Sequence, residues 1–456
     1  MASAVKQKTD PISLREAFWV WVKIALLSFG GPAGQIAVMH KTLVDEKKWI
    51  SESRFIHALN YCMLLPGPEA QQLAIYIGWL MHRWVGGIIA GALFVLPGFV
   101  SILFLSIIYA LYGEVSFVNA LFFGLKPAVI AIVIGAVFKI GSKTLKTKAM
   151  VVISALSFVA LFFFDVPFPL VILAAALTGF IGGQIAPQQF VALQPHKAAN
   201  DNDEDLLSQY QTNAPPSFLR SLKVLIIFGG LWGIPILMLF AFLGPENIFT
   251  QQSVFFSKSA VITFGGAYAV LAYIAQQAVD NYGWLKPGEM LDGLGMAETT
   301  PGPLIQVVQF VGFMGAFRAA EVGGMSLSPV WAGVIASIVT TWVTFVPCFL
   351  WIFLGAPYVE HLRNNKHISR ALSAITAAVV GVVLNLAIWF ALHVVFKTIE
   401  EKSFGPLSVH VPDIATLDLK SLILALIAVA LTFILKMSMM KVIGIMVLLG
   451  FGVYYI

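Results

Sequence analysis

Pro66-Gly67-Pro68 and Pro301-Gly302-Pro303 each interrupt apolar sequence, and polar residues gather around both. Proline disfavours helix at the residue before it, glycine permits turns closed to other residues, and proline suits the first position of a new helix. The tripeptide therefore predicts a broken helix whose second piece starts with unpaired N–H groups and a partial positive charge, which attract an anion. In hydrocarbon such N–H groups are costly, so a cavity, a ligand or other protein must meet them. Ser28-Phe29-Gly30-Gly31-Pro32 repeats the device, with Thr263-Phe264-Gly265-Gly266-Ala267 opposite it. Four helix starts are then expected to converge on one site near a membrane midplane. The alternative is that they are packing kinks of membrane helices, but four in a two-fold arrangement favour the site.

Charged and amide groups accompany these breaks. Lys23 and Lys258 each stand five residues before Ser28 and Thr263, flanked by apolar residues. An ammonium in a membrane helix costs roughly 3 kcal/mol on insertion scales, so the pair is expected to act as counter-charges to a bound anion. Snorkelling to an interface is the other reading, and Trp19 and Trp21 would suit it. Lys126, before Pro127, is a third candidate without a lysine partner in the other half. Glu69 follows the first Pro-Gly-Pro and Glu298 precedes the second. A buried carboxyl group favours its neutral form, as proton coupling requires; helix capping or pairing with lysine is the alternative. His57, on the segment leading to Pro66, is a further proton candidate or a structural residue. Gln71, Gln306 and Gln309 supply amide donors suited to oxygen-rich ligands. Asp45 and Asp280, Trp49 and Trp284, and Arg83 and Arg318 flank the interrupted segments, where they set turns and interface depth or form gating ion pairs.

These residues belong to an internal duplication. An offset of 235 residues brings Phe29-Gly30-Gly31 onto Phe264-Gly265-Gly266, Trp49 onto Trp284, Gln71 onto Gln306 and the two Pro-Gly-Pro motifs onto each other. With 59% apolar and 11% charged residues, the chain reads as an all-α polytopic membrane protein. Clear spans are Gly87 to Leu111, Ala120 to Phe138, Ala149 to Phe164, Pro169 to Ile185, Leu222 to Leu243, Trp331 to Leu354, Ala371 to Phe396, Leu422 to Leu435 and Val442 to Ile456. Phe18 to Met39, Phe55 to Met81, Val254 to Gln276 and Met290 to Phe317 are long enough to span but carry breakers, and are expected to be interrupted or re-entrant. The organisation expected is an N-terminal repeat over 1–187, a polar cytoplasmic linker over 188–217, an extra connecting helix over 218–245 and a C-terminal repeat over 246–456. One extra span between repeats of even parity gives two inverted-topology repeats. The polar amino-terminal segment lacks a cleavage site and is expected to stay in the cytoplasm.

Several function classes are excluded. Cys62 and Cys348 lie in apolar segments of different halves, which argues against a disulfide framework or a thiolate metal centre. The acidic run Asp201 to Asp205 lacks the glycine and glutamate of a calcium loop. The net charge of +5 is loop lysine and arginine that orient a membrane protein, not a nucleic-acid surface. No hydrolase, zincin, Walker or dinucleotide motif is present, so the chain reads as a carrier needing no cofactor, not an enzyme.

At Ser-Phe-Gly-Gly-Pro and Pro-Gly-Pro, joined by Trp49 and the duplicated layout, the chain resembles the chromate ion transporter family, long-chain type. The resemblance covers all but the linker and the tail past about Ser403. It carries over the motif residues Phe29, Gly30, Gly31, Pro32, Pro66, Gly67, Pro68, Gly265, Gly266, Pro301, Gly302 and Pro303. The chain departs from the usual pattern at Gln35, where many members carry histidine, and at Glu69, where a small residue is usual. The resemblance implies a multi-pass carrier of a bacterial-type inner membrane that exports chromate, with sulfate the related oxyanion, driven by the membrane potential, the proton gradient or anion exchange. Inverted repeats commonly pair as homodimers. The residues alone leave open a carrier or channel for another small inorganic or organic anion.

Overall fold

The computed structural model describes residues 12–113, 115–190, 217–264, 267–323, 326–356, 366–405 and 407–455. The polar stretch 188–217, with its acidic run, lies almost wholly outside them, as do Gly265 and Gly266. Nearly everything described is helix. Among the described residues, six helices are long and apolar enough to cross a membrane: Glu69–Tyr112, Ser116–Thr144, Phe168–Ile185, Phe218–Leu243, Pro329–Gly355 and His367–Val395. The leucines, isoleucines and phenylalanines on their outer faces are exposed, as a lipid solvent requires, and the chain is a multi-pass membrane protein.

The first half opens with α1 (Leu14–Leu27), capped by Ser13, whose hydroxyl accepts from the Glu16 amide at 3.1 Å. α2 (Gly31–His40) follows after a break at Ser28 to Gly30 and ends in a wider π turn, Lys41–Glu46. α3 (Glu52–Cys62) leads to the first Pro-Gly-Pro, and α4 (Glu69–Tyr112) starts just beyond it. α4 is not one rod. At His82 and Arg83 the backbone leaves helical geometry, Arg83 adopting φ +54°, and the chain doubles back. Gly78 then faces Gly86 and Ala90, and the Ile75 carbonyl faces Gly87, so small residues let the two arms touch along their backbones. α5 (Ser116–Thr144), α6 (Lys148–Phe164) and α7 (Phe168–Ile185) complete this half.

After α8 (Phe218–Leu243), which is largely exposed, the same order of elements recurs. α9 (Ile248–Val261) and α10 (Ala267–Gln276) flank the second glycine motif, and Gln277–Asn281 forms another π turn. α11 (Glu289–Thr299) leads to the second Pro-Gly-Pro. A short 3-10 turn, Leu304–Gln306, then α12 (Val307–Glu321) and α13 (Pro329–Gly355) follow. α14 (Lys366–Val395) leads to a hairpin of β1 (Ile399–Phe404) and β2 (Leu407–Pro412). α15 (Leu419–Val429), prolonged by a π turn to Ile434, and α16 (Met439–Tyr454) end the chain. These last two match α6 and α7 in order, so the recurrence runs past Ser403.

The halves interdigitate. α14 packs on α5, α6 and α7, α16 packs on α5, and α13 packs on α4. Close helix approach depends on glycine at several crossings: Gly124 lies against Gly450 and the Met446 carbonyl, and Gly381 against the Ser154 carbonyl. Gly381→Leu would drive a side chain into the α6 backbone. Overpacking of this kind costs about 1–3 kcal/mol, so the variant should unfold at a lower temperature in detergent. An unchanged melting curve would show that α14 and α6 do not approach closely there.

Candidate functional site

Each Pro-Gly-Pro turn is held by the opposite half of the chain. Gly67 and Gly302 sit at φ +115° and +106°, where L side chains are strained, so glycine is required. The Gly67 N–H donates to the Thr263 carbonyl at 2.8 Å, and the Gly302 N–H donates to the Ser28 carbonyl at 2.9 Å. Donor maps onto donor and acceptor onto acceptor under the 235-residue offset, so the two bonds form a reciprocal pair. The Ser28 and Thr263 hydroxyls both donate to the carbonyl four residues back, Ile24 and Ser259, at 2.6 Å.

A second reciprocal contact accompanies the first. Gly98, after Pro97 within α4, lies against the second turn, where an added Cβ would come 2.8 Å from the Pro301 carbonyl oxygen. Cys348, after Pro347 within α13, lies against the first turn, its Sγ 3.0 Å from the Cβ position of Gly67. Pro97 and Pro347 thus each precede a residue that packs on the other half's break.

Glutamine side chains finish the turns. Gln72 Nε2 donates to the Pro66 carbonyl at 2.6 Å, and Gln35 Nε2, fully buried, donates to the Gly302 carbonyl at 2.5 Å. Gln306 Nε2 donates to Gln309 Oε1 at 2.6 Å, and Gln309 Nε2 donates to the Phe99 carbonyl at 3.0 Å. Glu298 is buried on α11, where Oε1 accepts from the Tyr268 hydroxyl at 2.6 Å. Both Glu298 Oε2 and the Tyr268 hydroxyl lie 3.8 Å from the Cβ position of Gly31, so the second half's carboxyl reaches the first half's glycine motif. Several buried polar atoms at these breaks have no protein partner: both ends of the Gln71 amide, and Oε1 of Gln72 and of Gln306, and Oε2 of Glu298. Native interiors rarely leave such groups unpaired.

The remaining residues expected at the site are spread more widely. Pro66, Pro68, Pro301 and Pro303 flank the turns, and Gly30 at φ +81° starts α2. Glu69 is half-buried in the first turn of α4, and His57 is half-buried on α3. The structure does not bring Lys23 or Lys258 to the buried crossing. Both are exposed, and Lys23 donates to Glu46 at 2.8 Å. The Gly67 and Gly302 amides are taken up by protein, which leaves the first-turn amides of α4 at Glu69 to Gln71 without an intrahelical acceptor. Arg318 makes a bidentate pair with Glu289 at 2.8 and 2.5 Å and donates to the Trp284 carbonyl, whereas its counterpart Arg83 makes the α4 reversal. Tyr268 and Asp292 were not singled out from sequence. Asp292 was detectable as an ionisable residue within an apolar segment, while Tyr268 carries no such signal.

Gln35→Leu tests the crossing. It leaves the buried Gly302 carbonyl without its donor, which costs about 1–3 kcal/mol, and should lower thermal stability in detergent by that amount. Stability equal to wild type would mean that the bond is not made.

The sequence model described as Chromate transporter matches residues 15–180 and 250–453, spanning both halves and running beyond Ser403. The probable chromate transport protein of Synechococcus elongatus is 26% identical over 378 residues, covering 81% of this chain and 83% of that protein. The chromate transport protein of Cupriavidus metallidurans is 27% identical over 381 residues, covering 83% of each. That of Pseudomonas aeruginosa is 29% identical over 383 residues, covering 82% of this chain and 80% of that one. No solved structure matches the chain. With four-fifths of its length matched across both halves, this protein belongs to the chromate transporter family.

Proposed function

We propose that this protein is a secondary carrier, not an enzyme, which exports a tetrahedral divalent oxyanion, chromate first and sulfate as its relative. The reading rests on family membership and on the similarity to the chromate transport proteins of Cupriavidus metallidurans and Pseudomonas aeruginosa. The observation that carries it to particular residues is the Gln71 amide, fully buried beside the first break with neither end partnered. An amide N–H and the first-turn amides of α4 are donors of the kind an oxyanion needs. Gln306 occupies the matching position beyond the second break.

The reciprocal bonds between Gly67 and Thr263, and Gly302 and Ser28, support two repeats of inverted topology, with 1–187 and 246–456 joined through the linker and α8. In this arrangement the membrane is the bacterial-type inner membrane, the amino terminus faces the cytoplasm, and two copies pair as a homodimer. Transport draws on the membrane potential and responds to the proton gradient, and Glu298, buried with one free oxygen at the crossing, is a proton site, with Glu69 and His57 nearer the first break. The lysines 23 and 258 act at the interface, where they are exposed.

Purified protein should bind chromate or sulfate in a screen that also includes molybdate and phosphate. Gln71→Ala should weaken that binding about tenfold without loss of folding. Affinity for none of the four ions would remove the oxyanion reading, and unchanged affinity in the variant would remove Gln71 from it. In proteoliposomes Glu298→Gln should transport with a weaker response to an imposed pH gradient; a response equal to wild type would exclude Glu298 as a proton site.

A further inference from the structure

An oxyanion of two negative charges must be neutralised inside the membrane, yet Lys23 and Lys258 are exposed and away from the buried crossing. A different cation is better placed. Lys126, on α5 beside Pro127, lies 3.4 Å from Asp292 Oδ2 on α11. Its side chain is 32% exposed while that of Asp292 is 3% exposed, so the lysine side chain is partly open and the carboxylate is enclosed. The same Asp292 oxygen accepts from the Tyr109 hydroxyl of α4 at 2.8 Å, and Oδ1 is buried without a partner. The pair crosses between halves, because α4 and α5 belong to the first and α11 to the second. It adjoins the breaks: Leu125 packs on Gly295, midway along α11 between Asp292 and Glu298, which stand about 9 Å apart at helical rise.

The charged and titratable groups around Asp292 are few. Tyr109 faces it from α4 and Lys126 from α5; Glu289 is one turn back on α11; Arg318, from α12, is engaged by Glu289. Glu289 is thus neutralised by its own partner. Lys126 is left as the cation that answers Asp292.

From this geometry we infer that Lys126 and Asp292 form a proton-switched counter-charge for the transported oxyanion. The inference rests on the oxyanion reading above. With Asp292 ionised, its carboxylate neutralises Lys126 and the pair has no net charge. When an Asp292 oxygen takes a proton from the aqueous side, the pair becomes a single positive charge, and a buried or half-buried ammonium without a partner is costly. A dianionic oxyanion beside Lys126 relieves that cost. Proton and oxyanion therefore bind cooperatively, each raising the affinity for the other by the same factor, and release together when Asp292 ionises and reclaims Lys126. One proton accompanies each oxyanion, so export carries a single net negative charge outward along the membrane potential. Tyr109 positions the carboxyl group through its hydrogen bond.

The test is calorimetric titration of purified full-length protein with chromate and with sulfate, in two buffers of unequal ionisation enthalpy, so that protons taken up per ion bound are counted. Wild type should take up protons on binding and bind more weakly as pH rises. Asp292→Asn should bind at least as tightly, lose one proton of that uptake and show a flatter pH dependence. Lys126→Met should bind at least about tenfold more weakly. Since that variant strands Asp292 in the interior, the neutral pair Lys126→Met with Asp292→Asn should restore folding but not affinity. Uptake in Asp292→Asn equal to wild type, or wild-type affinity in the neutral pair, would overturn the switch while leaving the oxyanion reading intact. Failure of wild type to bind either ion would overturn both.

Discussion

Two hydrogen bonds, from Gly67 to Thr263 and from Gly302 to Ser28, tie each half of the chain to the other at its weakest points. A helix that stops within hydrocarbon leaves N–H and C=O groups that no lipid can satisfy. Each break here answers the other's unmet group. The carbonyl exposed where α1 ends accepts from the turn after α11, and the carbonyl exposed where α9 ends accepts from the turn after α3. Neither half could bury its breaks alone. The interdigitation of α4 with α13, and of α14 with α5 to α7, follows from the same need, because the breaks must be brought together before either is paired.

Around that crossing, apolar packing and polar chemistry are separated by residue size as much as by polarity. Glycines at 78, 86, 124 and 381 let helix backbones meet, and Gly98 lets α4 close on the second turn with main chain instead of a bulky side chain. Into this region project glutamines, Glu298 and Tyr268, each with at least one bond to protein except Gln71. Further along α11 the same helix carries Asp292 and Glu289, each with its own cation from a different element. One short helix thus bears three carboxyl groups in three distinct settings: salt-bridged to arginine, shared between lysine and tyrosine, and bonded to tyrosine alone. Carboxyl groups of one type acquire different roles from their neighbours.

Much of the architecture was legible because membrane insertion imposes strong patterns. Long apolar runs located α5, α7, α8, α13 and α14, and each Pro-Gly-Pro lies between separate helical segments. Other features left no mark. The reversal at His82 and Arg83 uses an arginine at positive φ, a position where glycine would be the ordinary signal. The β hairpin at Ile399 to Pro412 lies in a segment of mixed polarity, and the final two helices recur in order without recognisable motifs. Lys23 and Lys258 matched between halves, yet matching cannot tell which side of a helix meets the interior, and both turned outward.

The sequence by itself determined that this is a duplicated helical membrane protein with paired breaks, since hydropathy, helix-breaking residues and a constant offset are local or periodic properties. Tertiary structure alone decided which carbonyl receives each glycine N–H, which cation answers Asp292, and which glutamine is left unpartnered. Those outcomes depend on contacts between residues far apart along the chain, Gln35 with Gly302 or Lys126 with Asp292, whose energies exist only once the two halves have packed. A hydrogen bond or ion pair is a property of two positions in space, and one strand of sequence records only the half that each residue brings.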